Sequence, residues 1–369
     1  MTEPEERRIK HERVIAYLDD HQLDGVLLRR RCNFSWYTCG GHNHVAGACD
    51  AGNSYVFVDR LGGTVLANNV EAARLAGEEL ADADLAFETF DYYHPAGRAE
   101  VFERVLGRAR VAADAPVPGR DLPRLDADFD RLRWSLTPWE VERYRGTCSD
   151  SVAAMESAAR AAVPGMTEHE LAGEAGRRLL AAGCTPWLLL VGADDRIARY
   201  RHPLPTGRRA ERSFMLVTCA ERDGLIAAVT RLGHFGPVPE ELAARHRAAA
   251  TVNAALLAAL RPGVTLGTLF AEAQEAFAEV GHPDEWRELH VGGSCGYLPR
   301  ERKAATGDST QALENQAFAW NPSLAGSKCE DTVLCGADGW RALSAATDWP
   351  EVEVAWRGES CRRPGILSL

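Results

Sequence analysis

Two histidines, a glutamate, an asparagine and a group of basic residues carry most of the chemistry this chain can offer. His202 stands in Tyr200-Arg-His-Pro203, His290 opens His290-Val-Gly-Gly-Ser-Cys-Gly-Tyr297, Asn321 lies in Ala319-Trp-Asn-Pro-Ser323, and Glu330 in Lys328-Cys-Glu-Asp-Thr332. An imidazole with its ordinary pKa of about 6.5 takes and returns a proton near neutral pH. An ionised carboxylate only accepts hydrogen bonds, whereas a side-chain amide both donates and accepts, which suits recognition of an amide or a carboxylate. Arg199, Arg201, Arg231, Arg300, Arg302 and Lys328 cluster around these motifs, and a guanidinium facing a cavity holds a carboxylate through a forked pair of hydrogen bonds. Plainer roles stay open. His290 also reads as a hydrogen-bonded core residue, Glu330 as the salt-bridge partner of Arg231 or Lys328, and Asn321 as a group that satisfies strand-end backbone. Cys219 and Cys295 would need a neighbouring base to act as nucleophiles. The ten cysteines are scattered without a CxxC pair and read as reduced, buried small residues.

The elements that must position these groups fall into two regions. Residues 5–22 repeat apolar positions at helical spacing. Gly25-Val-Leu-Leu28, Ser54-Tyr-Val-Phe-Val58 and Thr64-Val-Leu-Ala67 read as strands, and Glu71 to Leu80 as a further helix. This alternation predicts an α/β domain over residues 1–130, with the polar stretch from Asp121 to Arg131 as linker. A second domain, residues 136–369, opens at Thr137-Pro-Trp-Glu140, where a capping threonine, a proline at the first helical position and a glutamate three residues on mark a helix start. It contains a repeat: Pro164-Gly-Met-Thr167 starts a helix ending near Gly183, and Pro262-Gly-Val-Thr265 starts one ending near Gly281, an offset of 98 residues at both ends. Strand-like sequence follows each copy, at Trp187–Val191, Phe214–Cys219 and Leu225–Thr230 in the first, and at the glycine-rich 290s and Gln316–Trp320 in the second.

Composition bounds the function. A net charge of −11 excludes the basic stripe that nucleic acid requires. No apolar run reaches the ~18 residues needed to span a bilayer, and the charged N-terminus lacks a signal-peptide core, so a cytoplasmic chain without a membrane partner is expected.

The glycine turn at 292–296, the Asn-Pro at 321–322 and the Glu-Asp-Thr at 330–332, together with the duplicated halves, resemble the creatinase, prolidase and aminopeptidase P family, whose catalytic domain is the pseudo-twofold pita-bread fold. The resemblance implies a small N-terminal creatinase-like α/β domain ahead of that catalytic domain, and a homodimer. It also implies five metal-ligand positions. Registered on Thr230-Arg231, the two aspartate positions are Val217 and Ala228, the histidine position is Gly293, one glutamate position is Asn321, and the other is Glu330. Three of these side chains offer no donor atom, and one carboxylate cannot hold two divalent cations; no metal and no cofactor are expected. Within the resemblance His202 occupies the place of creatinase's acid–base histidine.

The expectation is therefore a metal-independent, creatinase-like hydrolase that cleaves a C–N bond of a small carboxylate-bearing substrate. His202, Glu330 and His290 are its catalytic candidates, and Asn321, Arg231, Arg300, Tyr297, Trp36 and His42 its substrate-binding ones. Trp36 and His42, with Asn33 and His44, belong to a polar, aromatic segment that the resemblance assigns to a loop reaching a partner subunit's site. The alternatives are an Xaa-Pro aminopeptidase or dipeptidase that uses metal, and a non-catalytic binding homologue.

Overall fold

The structure is a computed structural model that describes residues 3–345 and 348–369. The chain divides into two compact units, one running to Arg133 and including Thr137–Glu140, the other comprising Trp134–Leu136 and Val141–Leu369.

In the N-terminal unit five strands form a mixed sheet in the spatial order Ala86–Phe90, Gly63–Asn68, Ala51–Asp59, Gly25–Arg30, Val111–Ala113. The expected strands all lie in it. The expected helix at 71–80 is different: Ala72–Arg74 is a single α turn that widens into a π-helical turn at Leu75–Glu79. The wider turn brings Glu79 onto both Arg74 (2.6 Å) and His42 (3.1 Å). The polar stretch before residue 131 is no free connector. Asp126 caps the helix Ala127–Arg131 by accepting from two backbone amides, and Phe129 from that helix packs edge-on against Tyr17 and Trp36. The segment expected as a loop is likewise folded: Arg31–Tyr37 is a helix, and Trp36 is fully buried.

The second unit is built from two copies of one motif. Thr167 caps the helix Glu168–Ala181 in a reciprocal box with Glu170, and Thr265 caps the helix Leu266–Glu279, so both helices have 14 residues and start 98 positions apart. Gly183 and Gly281 follow with φ of 72° and 83°, a left-handed conformation that glycine adopts without strain. The first copy's sheet orders Ile366–Ser368, Leu225–His234, Ser213–Arg222, Thr185–Ala193. The second orders Arg302–Lys303, Gly292–Cys295, Ala317–Trp320, Asp331–Gly336, Gly339–Ala342. Each copy packs its helices on its own core: Met155, Leu171 and Phe214 in the first, Leu256, Phe277 and Trp320 in the second. The sheets are open and meet along Leu225–His234 and Asp331–Gly336, where Thr332 Oγ1 donates to Ala228 O and accepts from Ala228 N, and Thr230 N donates to Glu330 O. This seam places side chains from both copies around one cavity. Among the described residues no helix is long and apolar enough to cross a membrane.

Candidate functional site

A cavity of about 220 Å³ opens at that seam. Period-two alternation along Thr185–Ala193 turns Leu188 and Leu190 to one face, and with Val217 and Cys219 from the neighbouring strand they form the apolar wall. The polar side comes from His202, His290, Arg300, Lys303, Asn321, Lys328 and Glu330.

Among the described residues Glu330 is the only carboxylate on the lining. Arg300 Nη2 donates to its Oε1 at 2.8 Å and Thr230 Oγ1 to its Oε2 at 2.7 Å, so both oxygens are engaged. Burial alone would raise the Glu330 carboxyl, but Lys328, Arg300 and these hydrogen bonds outweigh it and hold the group below the usual range. Lys328 is 2% exposed, and its ammonium makes no hydrogen bond or salt bridge among the described residues. Burial pulls the Lys328 pKa down, Glu330 opposes that, and Arg300 adds to it. Around the same cavity His290 Nδ1, Arg300 Nε and Asn321 Oδ1 are buried without a partner. Native folds leave few such atoms unpaired, and several converging on one cavity point to groups that a ligand supplies.

His202 is exposed at the cavity, its ring centre 6.4 Å from that of His290. Burial, then Lys328, lowers the His202 pKa; burial, then Arg300, lowers that of His290 to about 3. Both imidazoles are therefore neutral at pH 7, and the side chains of Arg300, Lys303 and Lys328 face one committed carboxylate. Burial pushes the Cys219 thiol to about 12 and the Cys295 thiol to about 11, which leaves neither as a thiolate.

Of the residues singled out in the sequence, His202, Val217, Cys219, His290, Arg300, Asn321, Lys328 and Glu330 share this cavity. Glu330 does not orient His202, because its oxygens belong to Arg300 and Thr230. Arg231 is not on the lining: its guanidinium is buried between Glu156 (3.0 Å) and Asp331 (3.1 Å), which removes it from substrate binding. Tyr297 is 1% exposed and also off the lining. Trp36 is enclosed in the N-terminal core, so its indole cannot extend into another subunit's site without unpacking that core. His42 is held by Glu79, its ring 5.5 Å from that of His44. Lys303 and the two leucines escaped the sequence reading. The leucines were findable from their alternation. Lys303 was not, since it reaches the cavity from a two-residue strand.

A two-metal centre does not fit this lining. Of the five positions the resemblance assigns to donors, Val217, Asn321 and Glu330 are on the lining. Val217 has no donor atom, Asn321 offers a neutral amide, and Glu330 is paired with Arg300. Ala228 and Gly293, off the lining, have no donor atoms either. Gly293 could not regain a side chain on this backbone, since a Cβ there would lie 2.0 Å from Arg302 O. Among the described residues, one triad of His21, Asp126 and Asp128 has metal-compatible spacing. It lies in the N-terminal unit, is largely exposed, and Asp126 is already occupied in capping its helix.

Duplicated helix-and-sheet halves around a seam cavity define the pita-bread class. The chain belongs to metallopeptidase family M24, whose profile matches residues 142–337, and with it to the hydrolase superfamily of creatinase, prolidase and aminopeptidase P. Among solved structures it is similar to the prolidase from Pyrococcus horikoshii OT3 (TM-score 0.76, 18% identity, 92% of this chain and 98% of that one). It is similar to the X-Pro aminopeptidase from Thermotoga maritima MSB8 (0.76, 16%, 97% and 99%) and to the dipeptidase PepE from Mycobacterium ulcerans (0.76, 16%, 100% of both). No curated protein sequence matches the chain. These three relatives overturn the expected metal-independent, creatinase-type hydrolase, since they are named as a prolidase, an X-Pro aminopeptidase and a dipeptidase. Within the cavity, Glu330 is paired with Arg300 and is not placed to assist His202.

The depressed His290 pKa predicts an acid limb in stability. Below about 6.5 the unfolded chain protonates this imidazole while the folded chain resists protonation down to about 3, so stability falls as pH falls through that window. The slope is at most about 1.4 kcal/mol per pH unit. Urea unfolding at about pH 7 and about pH 4.5 should show His290→Asn losing less stability than wild type. Equal losses in both proteins would show that His290 titrates normally in the fold.

Proposed function

We propose that this M24 member binds a small carboxylate-bearing molecule in the seam cavity, using its own cations where the family scaffold provides for metal. The observation that carries the reading is Lys328, almost fully buried and without a partner at the cavity, beside the unpaired Nε of Arg300. A charged donor without an acceptor in a desolvated place is costly unless an anion completes it. The cavity is smaller than the roughly 300–1,000 Å³ of sites for drug-sized ligands, which favours a metabolite of amino-acid to dipeptide size. Calorimetry with a panel of short carboxylates should find a binder, and Lys328→Gln should weaken it at least about tenfold, a loss of about 1.4 kcal/mol. Absence of any millimolar binder in the panel would remove the reading.

A second reading, an Xaa-Pro peptidase, is favoured by the names of the relatives. Elemental analysis of the purified protein separates the two. Two divalent ions per chain, with dipeptide hydrolysis lost on chelation, would establish the peptidase. On either reading the N-terminal unit corresponds to the small domain of creatinase-like proteins, and the chain works as a cytoplasmic homodimer, which light scattering checks.

A further inference from the structure

The cavity's charge pattern narrows the ligand further, on the reading that the cavity binds carboxylates. A free amino group on the ligand, as in amino acids and unblocked peptides, is an ammonium at neutral pH and needs an anionic acceptor. Among the described residues Glu330 is the only carboxylate on the lining, and Arg300 and Thr230 hold its two oxygens at 2.8 Å and 2.7 Å. Any ammonium placed there meets Arg300, Lys303 and Lys328, and like charges repel strongly in a desolvated site. The orphaned carbonyl oxygen of Asn321 offers an acceptor, but a neutral one; a ligand hydroxyl or amide N–H satisfies it without bringing in charge.

The cations, in contrast, exceed what one carboxylate neutralises. Arg300 is committed to Glu330, which leaves Lys328, buried and unpartnered, and Lys303, exposed at the opening, facing the same space. Neither imidazole contributes an opposing negative charge. We infer that the cavity selects a small dianion without an amino group, a dicarboxylate held between the buried Lys328 and the outer Lys303, and discriminates against zwitterions of the same length. The site of an aminopeptidase-like scaffold has on this account become one that rejects free amines.

Three probes of equal chain length isolate the far end of the ligand: glutarate, pentanoate and 5-aminopentanoate, titrated calorimetrically into the whole chain. Glutarate is expected to bind at least about tenfold more tightly than pentanoate, and 5-aminopentanoate most weakly. Lys303→Gln, at an exposed position, should bring glutarate to the affinity of pentanoate. If 5-aminopentanoate matches or exceeds glutarate, or glutarate and pentanoate bind equally, the inference fails while carboxylate binding itself stands. If none of the three binds, both fail together.

Discussion

Asp331→Ala is expected to lower the stability of the second unit by about 3–5 kcal/mol, the cost of breaking a buried ion-pair network by removing one partner. Asp331 is 4% exposed and anchors two guanidiniums, accepting from Arg231 Nη1 at 3.1 Å and Arg363 Nη2 at 2.7 Å, with Ser344 Oγ donating at 3.0 Å. Arg231 keeps Glu156 when the aspartate is lost, but no other carboxylate pairs with Arg363 among the described residues, and its charge is left buried and unpaired. A double variant with Arg363→Met should recover part of the loss, because removing both charges avoids that penalty. Urea unfolding of the three proteins measures it. A loss below about 1 kcal/mol for the single variant, the size of an exposed ion pair, would show that water reaches the network. The same measurement bears on the site, because Asp331 follows Glu330 directly in the chain and the strand that begins at Asp331 carries the seam contact of Thr332 with Ala228.

Short-range information accounts for what was readable in the chain. The duplicated helices announced themselves because their start and stop signals are local: a threonine cap, a preceding Pro-Gly and a left-handed glycine. The positions at which the resemblance expects metal donors were located only through that resemblance, by aligning Thr230-Arg231. Partner choice among charges was not readable. By sequence Glu330 could pair with Arg231 or Lys328, and only packing of the two halves brings Arg300 onto it while Arg231 turns to Glu156 and Asp331. Trp36 misled for a related reason. Its polar neighbours suggested a loop, but Lys10, Glu6 and Glu140 form a buried ion-pair group around the helix that carries it, and Lys10 Nζ donates to Trp36 O. The activity was misjudged because a histidine in a family position does not separate a creatinase-type hydrolase from the peptidases that share its fold.

Gly293→Ala is expected to cost roughly 3 kcal/mol or more, and Gly293→His to prevent folding of the second half. Gly293 lies in the middle of its sheet, paired with Lys303 on one side and Ala319 on the other, and a Cβ there would meet Arg302 O at 2.0 Å and Lys303 Cα at 2.8 Å. Both obstacles are backbone or Cα atoms, so no side-chain rotation relieves them. The strand Arg302–Lys303 has to move, and Lys303 with it. The obstacle to a histidine donor at this position thus lies in the spacing of the strands. Restoring every donor, with Val217→Asp, Ala228→Asp, Gly293→His and Asn321→Glu together, should yield either an unfolded chain or one that holds no ion, since Lys328 and Arg300 would still oppose a cation beside Glu330. Folding yield, circular dichroism and elemental analysis of the variants decide the matter. A soluble quadruple variant with wild-type unfolding behaviour and two bound manganese ions would show that the strands can part and that only side chains separate this cavity from its peptidase relatives.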